Sequence, residues 1–486
     1  MDLARYGEEA EKFLASFTEE FYRHDAGLKE ELEISGIFQQ HQALFAPGVV
    51  SRLMGERGTR EGRYLAEFAV MGRVEHGLRG ITEEIHTEEA RATVEWEGRE
   101  IPWRQASIVV ANEEEAGRRH ALERLTVAAT AALNPQRARR LSRAQELAKE
   151  LGFAECATMC AEVGGVDLEG LRKQTARVLG ETRERYERAM EEALASAGLP
   201  RGEATTGDWS FVRRGHDSDE MFPPEQVVPA LKWTMAGLGI EMDGQANLTL
   251  DLEDRPLKSP RAFCAAVRVP EDVRLVIRPH GGHDDYAAIL HEAGHAEHFA
   301  HTKAEAPFAF RYLGDNSVTE AYAFLFDGLT QNAEWLGEAL GRRETRGHLA
   351  LARLTRLHLV RRYAAKLAYE LDLHRAGGAE GMAERYARSL GEAVGLHVWA
   401  EDFLFDMDDF FYCARYLRAW MLEVQMRRRM VERFGRRWFA TTAAGDYLRE
   451  LWGLGQELEA EEVAARLGCE GLEVEGLIEE LTAAPE

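Results

Sequence analysis

Cysteine is scarce in this chain. Five thiols, Cys156, Cys160, Cys264, Cys413 and Cys469, stand among 486 residues. An odd number at irregular spacing excludes a disulfide-stapled scaffold. Cys156 and Cys160 lie four apart in a stretch of helical composition and read as two small buried residues rather than a metal or redox pair. Proline is also rare, at 13 residues, which leaves most windows free to form helix. No run of about 18 apolar residues occurs, so no membrane span is expected. The opening MDLARYGEEAEKF has no basic segment leading into an apolar run. The expectation is therefore no signal peptide and a reducing, cytoplasmic location. Basic charge is in deficit: 60 Lys and Arg face 84 Asp and Glu, for a net charge of -24. Such a chain repels nucleic acid and anionic membranes, and neither is expected as a partner. The glycines of GLGIEMDG (237–244) lack the strand–GxGxxG–helix setting, so a dinucleotide site is rejected.

What is present is abundant Ala, Leu, Glu and Arg, a helix-forming mixture. The length predicts two or three lobes. Residues 1 to about 195 read as successive amphipathic helices, interrupted near TVEWEGREIPW by a short extended excursion. SAGLPRGEATTGDWS (196–210) is the best lobe boundary. The expected organisation is a helical lobe over 1–200 and a second domain over 201–486. In the second, EQVVPALKWTMAGLGI reads as helix. LTLDLE, FCAAVRV and VRLVIRP then read as three strands of a small sheet within about 246–280. From Asp284 onward the pattern is again helical. The fold class expected is mainly α with a small antiparallel or mixed β-sheet.

The chemistry lies in DDYAAILHEAGHAEHFAH (284–301). It contains H-E-x-x-H at His291, Glu292 and His295. Positions i and i+4 share one helix face, so both imidazoles can reach one ion. Asp284 and Asp285 are placed to cap that helix. Zinc suits two neutral nitrogens, a carboxylate and an open position. Glu292, beside the first histidine, is placed to take a proton from water. With 16 His in the chain, chance alone yields the pattern about once in 15 such chains, so a third ligand must be found. GDNSVTEAYAFLFDGL (314–329) supplies Glu320 on an expected helix, with Asn316 or Ser317 as its cap.

The form HE-x-G-H, with Glu320 25 residues after His295, resembles the thimet oligopeptidase and oligoendopeptidase F family of zinc metallopeptidases. The resemblance covers about residues 255–470 and has several further points. His298 continues the helix as it does in that family. Asp327, seven after Glu320, matches a second acidic residue. RAFC, ending at Cys264, resembles the family's edge strand before the zinc helix. YCARY matches its tyrosine pair. The resemblance implies a two-lobed helical body with a deep channel and one Zn²⁺ per chain on its floor. Short peptides would be the substrates, and the chain a monomer or homodimer. The zinc helix would span about 285–301 and a late tyrosine helix about 406–434. Tyr412 would stabilise the oxyanion, Tyr416 and His298 would meet substrate, and the strand bearing Cys264 would pair with the substrate backbone.

The chain also departs from that pattern. Phe405 and Met407 stand where the family has a histidine, and the further tyrosine of thimet-type members falls on Ala419. His397, fifteen residues before Tyr412, is the candidate substitute. PHGGH (279–283) reads as a flexible loop near the cleft, and Arg213 and Arg214 as surface charge or carboxylate binders. Two rivals to an oligopeptidase stay open. One is a zinc carboxypeptidase or dipeptidase of related fold. The other is a pseudo-peptidase that binds peptides without cleaving them.

Overall fold

The structure, a computed structural model, describes residues 2–259 and 261–483. It is mainly helical, with 71% helix and 5% strand. The low proline content and Ala, Leu, Glu and Arg richness account for that balance. Among the described residues no helix is long and apolar enough to cross a membrane.

The chain divides into two compact units, each assembled from separated segments. One comprises Met1–Arg73, His216–Leu349 and Arg418–Leu477; the other comprises Val74–Gly215, Ala350–Leu417 and Ile478–Glu486.

The first unit begins with α1 (Leu3–Asp25). Its sheet has three short strands, β1 (Leu248–Asp251), β2 (Phe263–Arg268) and β3 (Asp272–Val276). The order is β1-β3-β2, with β1 parallel and β2 antiparallel to the central β3. The sheet is thus mixed. The expected strands fall where they were read, one to three residues shorter at their C-terminal ends, the third starting one residue earlier at Asp272. The apolar run VRLV becomes the central strand because both of its edges are paired. Strand β2 packs on α1 and on α2 (His283–Ala300), the helix carrying H-E-x-x-H.

Helix α2 starts differently from expectation. Gly282 is its N-cap residue, with φ +84°, and no side chain caps it. Asp285 instead reaches back to accept hydrogen bonds from the backbone N–H groups of His280 and Gly281. Gly281 also has φ +84°, and a Cβ there would lie 2.8 Å from Pro224. PHGGH is therefore a clamped turn, held further by Gly282 N–H donating to the Phe222 carbonyl at 2.8 Å.

Helix α3 (Asn316–Asp327) packs along α2. Its N-cap is Asp315, not Asn316 or Ser317: the Asp315 carboxylate accepts from Ser317 N–H at 3.0 Å. The helices meet at Gly294. A Cβ there would lie 2.6 Å from Ala323 Cα and 2.8 Å from the Tyr322 carbonyl oxygen, so only glycine allows this approach.

In the second unit the excursion read at TVEWEGREIPW is a two-stranded hairpin, Thr93–Trp96 with Arg99–Pro102. Cys156 and Cys160 are buried on the helix Cys156–Gly164. The long helix α4 (Arg346–Ala376) lies mostly in this unit, as does the first part of α5 (Tyr412–Phe434).

Candidate metal centre

Three side chains of the first unit converge. His291 and His295 come from one face of α2, and Glu320 comes from the facing turn of α3. Their ligand atoms all lie within 4.8 Å of one another. Glu320 Oε2 is 3.4 Å from His291 Nε2 and 3.6 Å from His295 Nε2. The close packing allowed by Gly294 brings the two helices near enough for this.

Each imidazole is oriented through its other nitrogen. His291 Nδ1 lies 2.9 Å from Asp327 Oδ2, and His295 Nδ1 lies 2.8 Å from Thr319 Oγ1. An ionised carboxylate only accepts, so His291 Nδ1 carries a proton toward Asp327, and Nε2 is the nitrogen that turns to Glu320. This is the carboxylate–histidine arrangement that fixes tautomer and ring angle in metal sites. The His291 ring also meets Phe324 edge-on at 5.3 Å, and Phe324 stacks on Trp420 at 5.1 Å and 16°.

The electrostatics favour a cation. Burial works against a His291 imidazolium, but hydrogen bonds to Asp327 and Glu320 outweigh it and push His291 up to about 10. Burial also opposes the Glu320 carboxylate, yet His295 and His291 hold it well below the usual carboxylate range. The carboxylates of Asp327 and Glu320 thus draw positive charge onto His291, and a bound metal ion would take the place of the proton held between His291 and Glu320. Two nitrogens and one carboxylate oxygen, with second partners in place, fit a zinc ion that keeps an open coordination position.

Glu292 lies next to this cluster on α2. Its Oε2 accepts a hydrogen bond from Cys264 N–H on β2 at 2.9 Å. Burial raises its pKa, and the neighbouring histidines only partly counter that. The Cys264 thiol is pushed well up by burial and by Glu292 and Glu297.

The other expected site residues lie as follows. His298 is fully buried, its Nε2 is 3.0 Å from the Gly455 carbonyl, and burial pushes it down to about 4. Tyr412, Tyr416 and His397 belong to the second unit. The Tyr412 ring meets Tyr416 edge-on at 5.1 Å, and Tyr416 meets Tyr363 at 5.4 Å. His397 is exposed, bridges to Thr205 through its backbone and stands against Trp399 at 4.6 Å.

Two supporting residues escaped the sequence reading. Thr319 directly precedes Glu320, and neighbours on a helix point about 100° apart, so periodicity does not pair them. Arg418 grips the start of α3: it donates to Asp315 at 2.6 Å and to Ser317 Oγ at 3.3 Å. An aspartate N-cap before a ligand-bearing helix is the signal that a buried cation would answer.

No protein-family profile and no curated protein sequence matches the chain. Among solved structures, it is similar to a crystal structure from Bacillus anthracis str. Ames of a protein provisionally named oligoendopeptidase F. The TM-score is 0.61 at 13% sequence identity, over 95% of this chain and 83% of the other. At that identity the likeness establishes the fold: this chain has an oligoendopeptidase-like helical fold.

Proposed function

We propose that this chain is a zinc-dependent oligopeptidase that hydrolyses short peptides. The observation that carries the reading is the convergence of His291, His295 and Glu320 with Glu292 on the same helix. The fold-level likeness to a protein named as an oligoendopeptidase supports the same class.

His291, His295 and Glu320 would hold the ion. When bound, zinc supplies Lewis-acid polarisation of the scissile carbonyl and acidifies water. Glu292 does the proton work. Its carboxylate accepts a proton from the attacking water as the C–O bond forms. It then delivers that proton to the amine nitrogen as the C–N bond breaks. Burial raises the pKa of this carboxyl, which eases the protonated state that the second transfer starts from. Asp327 and Thr319 keep the imidazoles aimed, and the resemblance of YCARY to the family's tyrosine pair is what gives Tyr412 the part of oxyanion donor in this reading.

Glu292→Gln tests this directly. The variant is expected to retain one zinc per chain by elemental analysis and to lose cleavage of a short quenched peptide. Turnover equal to the parent would refute the assignment of Glu292. Phe405 and Met407, standing where the resembling family has a histidine, favour one second reading, a peptide binder with little turnover. A zinc-loaded parent that captures peptides from a mixed library without cutting any would establish it.

A further inference from the structure

The turn that delivers Tyr412 is strained. Phe410 has φ +52° and Phe411 φ +58°, two consecutive non-glycine residues in the left-handed region. Tyr412 follows at once as the first residue of α5. Such backbone persists only where surrounding contacts over-determine it, and it gathers at functional sites.

One stripe of α4 supplies those contacts. Tyr363, Lys366, Glu370 and His374 recur at three- and four-residue spacing and share a face. Glu370 is fully buried and touches both sides of the strained pair. Its Oε1 accepts from Asp408 N–H at 2.8 Å, and its Oε2 accepts from the Cys413 thiol at 3.2 Å. Lys366 Nζ lies 2.7 Å from Asp408 Oδ1. His374 packs on the Phe411 ring at 4.9 Å. Tyr363 meets Tyr416, the edge-on neighbour of Tyr412. Asp409, beside the pair, is tied to Arg140.

Glu370, Asp408 and Cys413 also lie within 4.8 Å of one another, a grouping able to hold a metal. The Lys366 ammonium already serves as its cation, however, and the thiol proton is spent on Glu370. The cluster is better explained as a clasp.

We propose that Glu370 is a positioning residue for Tyr412, its buried carboxylate clasping both ends of the left-handed turn so that the tyrosine is presented in one orientation. This rests on the reading of Tyr412 as a group that acts in peptide hydrolysis.

The test compares Glu370→Leu, Glu370→Gln and Tyr412→Phe in the zinc-loaded full chain. Tyr412→Phe sets the ceiling, a loss in kcat of about 10²–10³-fold for one oxyanion donor. Glu370→Leu removes both acceptors and is expected to lower kcat by about 10²-fold, with KM and zinc content unchanged. Glu370→Gln keeps an acceptor for Asp408 N–H and should stay within about 5-fold of the parent. Placing Phe410→Gly on Glu370→Leu should restore part of the loss, because glycine adopts the left-handed conformation freely. Equal kcat in Glu370→Leu and parent would overturn the proposal. So would a loss shared among kcat, KM and zinc content, which marks general destabilisation. If Glu370→Leu does not fold, Cys413→Ala takes its place: a several-fold fall in kcat with zinc retained supports the clasp, and unchanged kcat overturns it.

Hydrogen exchange separates this idea from the functional reading. A parent that cleaves no peptide refutes the peptidase. Exchange at Asp408–Cys413 still decides the clasp: acceleration by about 10-fold or more in Glu370→Leu supports it, and exchange unchanged from the parent overturns it.

Discussion

Gly294→Ala gives the sharpest test of how the site is built, because two effects of opposite sign compete. Alanine is the better helix former, and at an exposed helix interior the exchange would stabilise by about 1 kcal/mol. Gly294 is buried. A Cβ there would lie 2.6 Å from Ala323 Cα, about 0.8 Å short of ordinary contact at 3.4 Å. The obstructing atoms are backbone, including Ala323 N and the Tyr322 carbonyl, both at 2.8 Å. No side chain can swing aside, so α2 and α3 must part. Overpacking of this kind costs about 1–3 kcal/mol. The net expectation is a loss of up to about 2 kcal/mol, read as a fall of about 1–2 °C in the metal-free melting midpoint for each kcal/mol lost. A second consequence is independent of the first. Parting the helices carries Glu320 away from His291 and His295, and metal–ligand distances tolerate only about 0.2 Å. Zinc affinity by chelator competition should then fall about 10-fold or more. A variant that melts at or above the parent and binds zinc equally would refute the close-approach reasoning.

Two further outcomes test the orienting contacts and the buried acid. Asp327→Ala leaves His291 Nδ1 without its acceptor and should cost about 10–100-fold in zinc affinity with the fold retained; an unchanged chelator-competition curve would rule out an orienting role. Glu370→Gln should flatten one part of the stability–pH profile. Burial outweighs Lys366 and pushes Glu370 up to about 8 from 4.5. The folded chain therefore binds the extra proton between those values. That contribution to stability is fully present below 4.5 and is lost as pH rises through 8. The parent's melting midpoint should fall more steeply than the variant's between about pH 5 and 8, and parallel curves there would refute it.

The H-E-x-x-H helix was legible because its signal is local. H-E-x-x-H fixes two donors on one face by helix geometry alone, and Glu320 followed from one more expected helix. The sheet strands were legible as β-rich runs between turn residues, whereas Thr93–Pro102 was legible only as an extended excursion and not as a hairpin. The helix caps were not. Asp315 outcompetes Asn316 and Ser317 because the cap is set by where the backbone turns into the helix, and here that is one residue earlier. Thr319 was hidden because its role depends on how α3 is rotated against α2. The α4 stripe was hidden more deeply. Tyr363, Lys366, Glu370 and His374 read on paper as the wet side of an amphipathic helix, yet Lys366 and Glu370 are 3% and 0% exposed. Only tertiary packing, with Asp406 and Asp408 brought to Lys366, makes such burial affordable.

The same packing explains how the candidate donors His291, His295 and Glu320 are held together. In small zinc modules the ion organises the fold, because ligands from flexible segments have no other reason to meet. Here each ligand is fixed by contacts that owe nothing to a metal. The α2–α3 spacing is set by Gly294 against Ala323. The start of α3 is set by Asp315, whose carboxylate holds Ser317 N–H, Arg418 and Ala460 N–H. The imidazole tilts are set by Asp327 and Thr319, and the His291 ring is backed by Phe324 on Trp420. The Glu292 carboxylate, beside the donors on α2, is held by Cys264 N–H from a strand of the sheet. In the proposed reaction Glu292 can then take up and release a proton without dragging Glu320, which stands on the other helix of the pair.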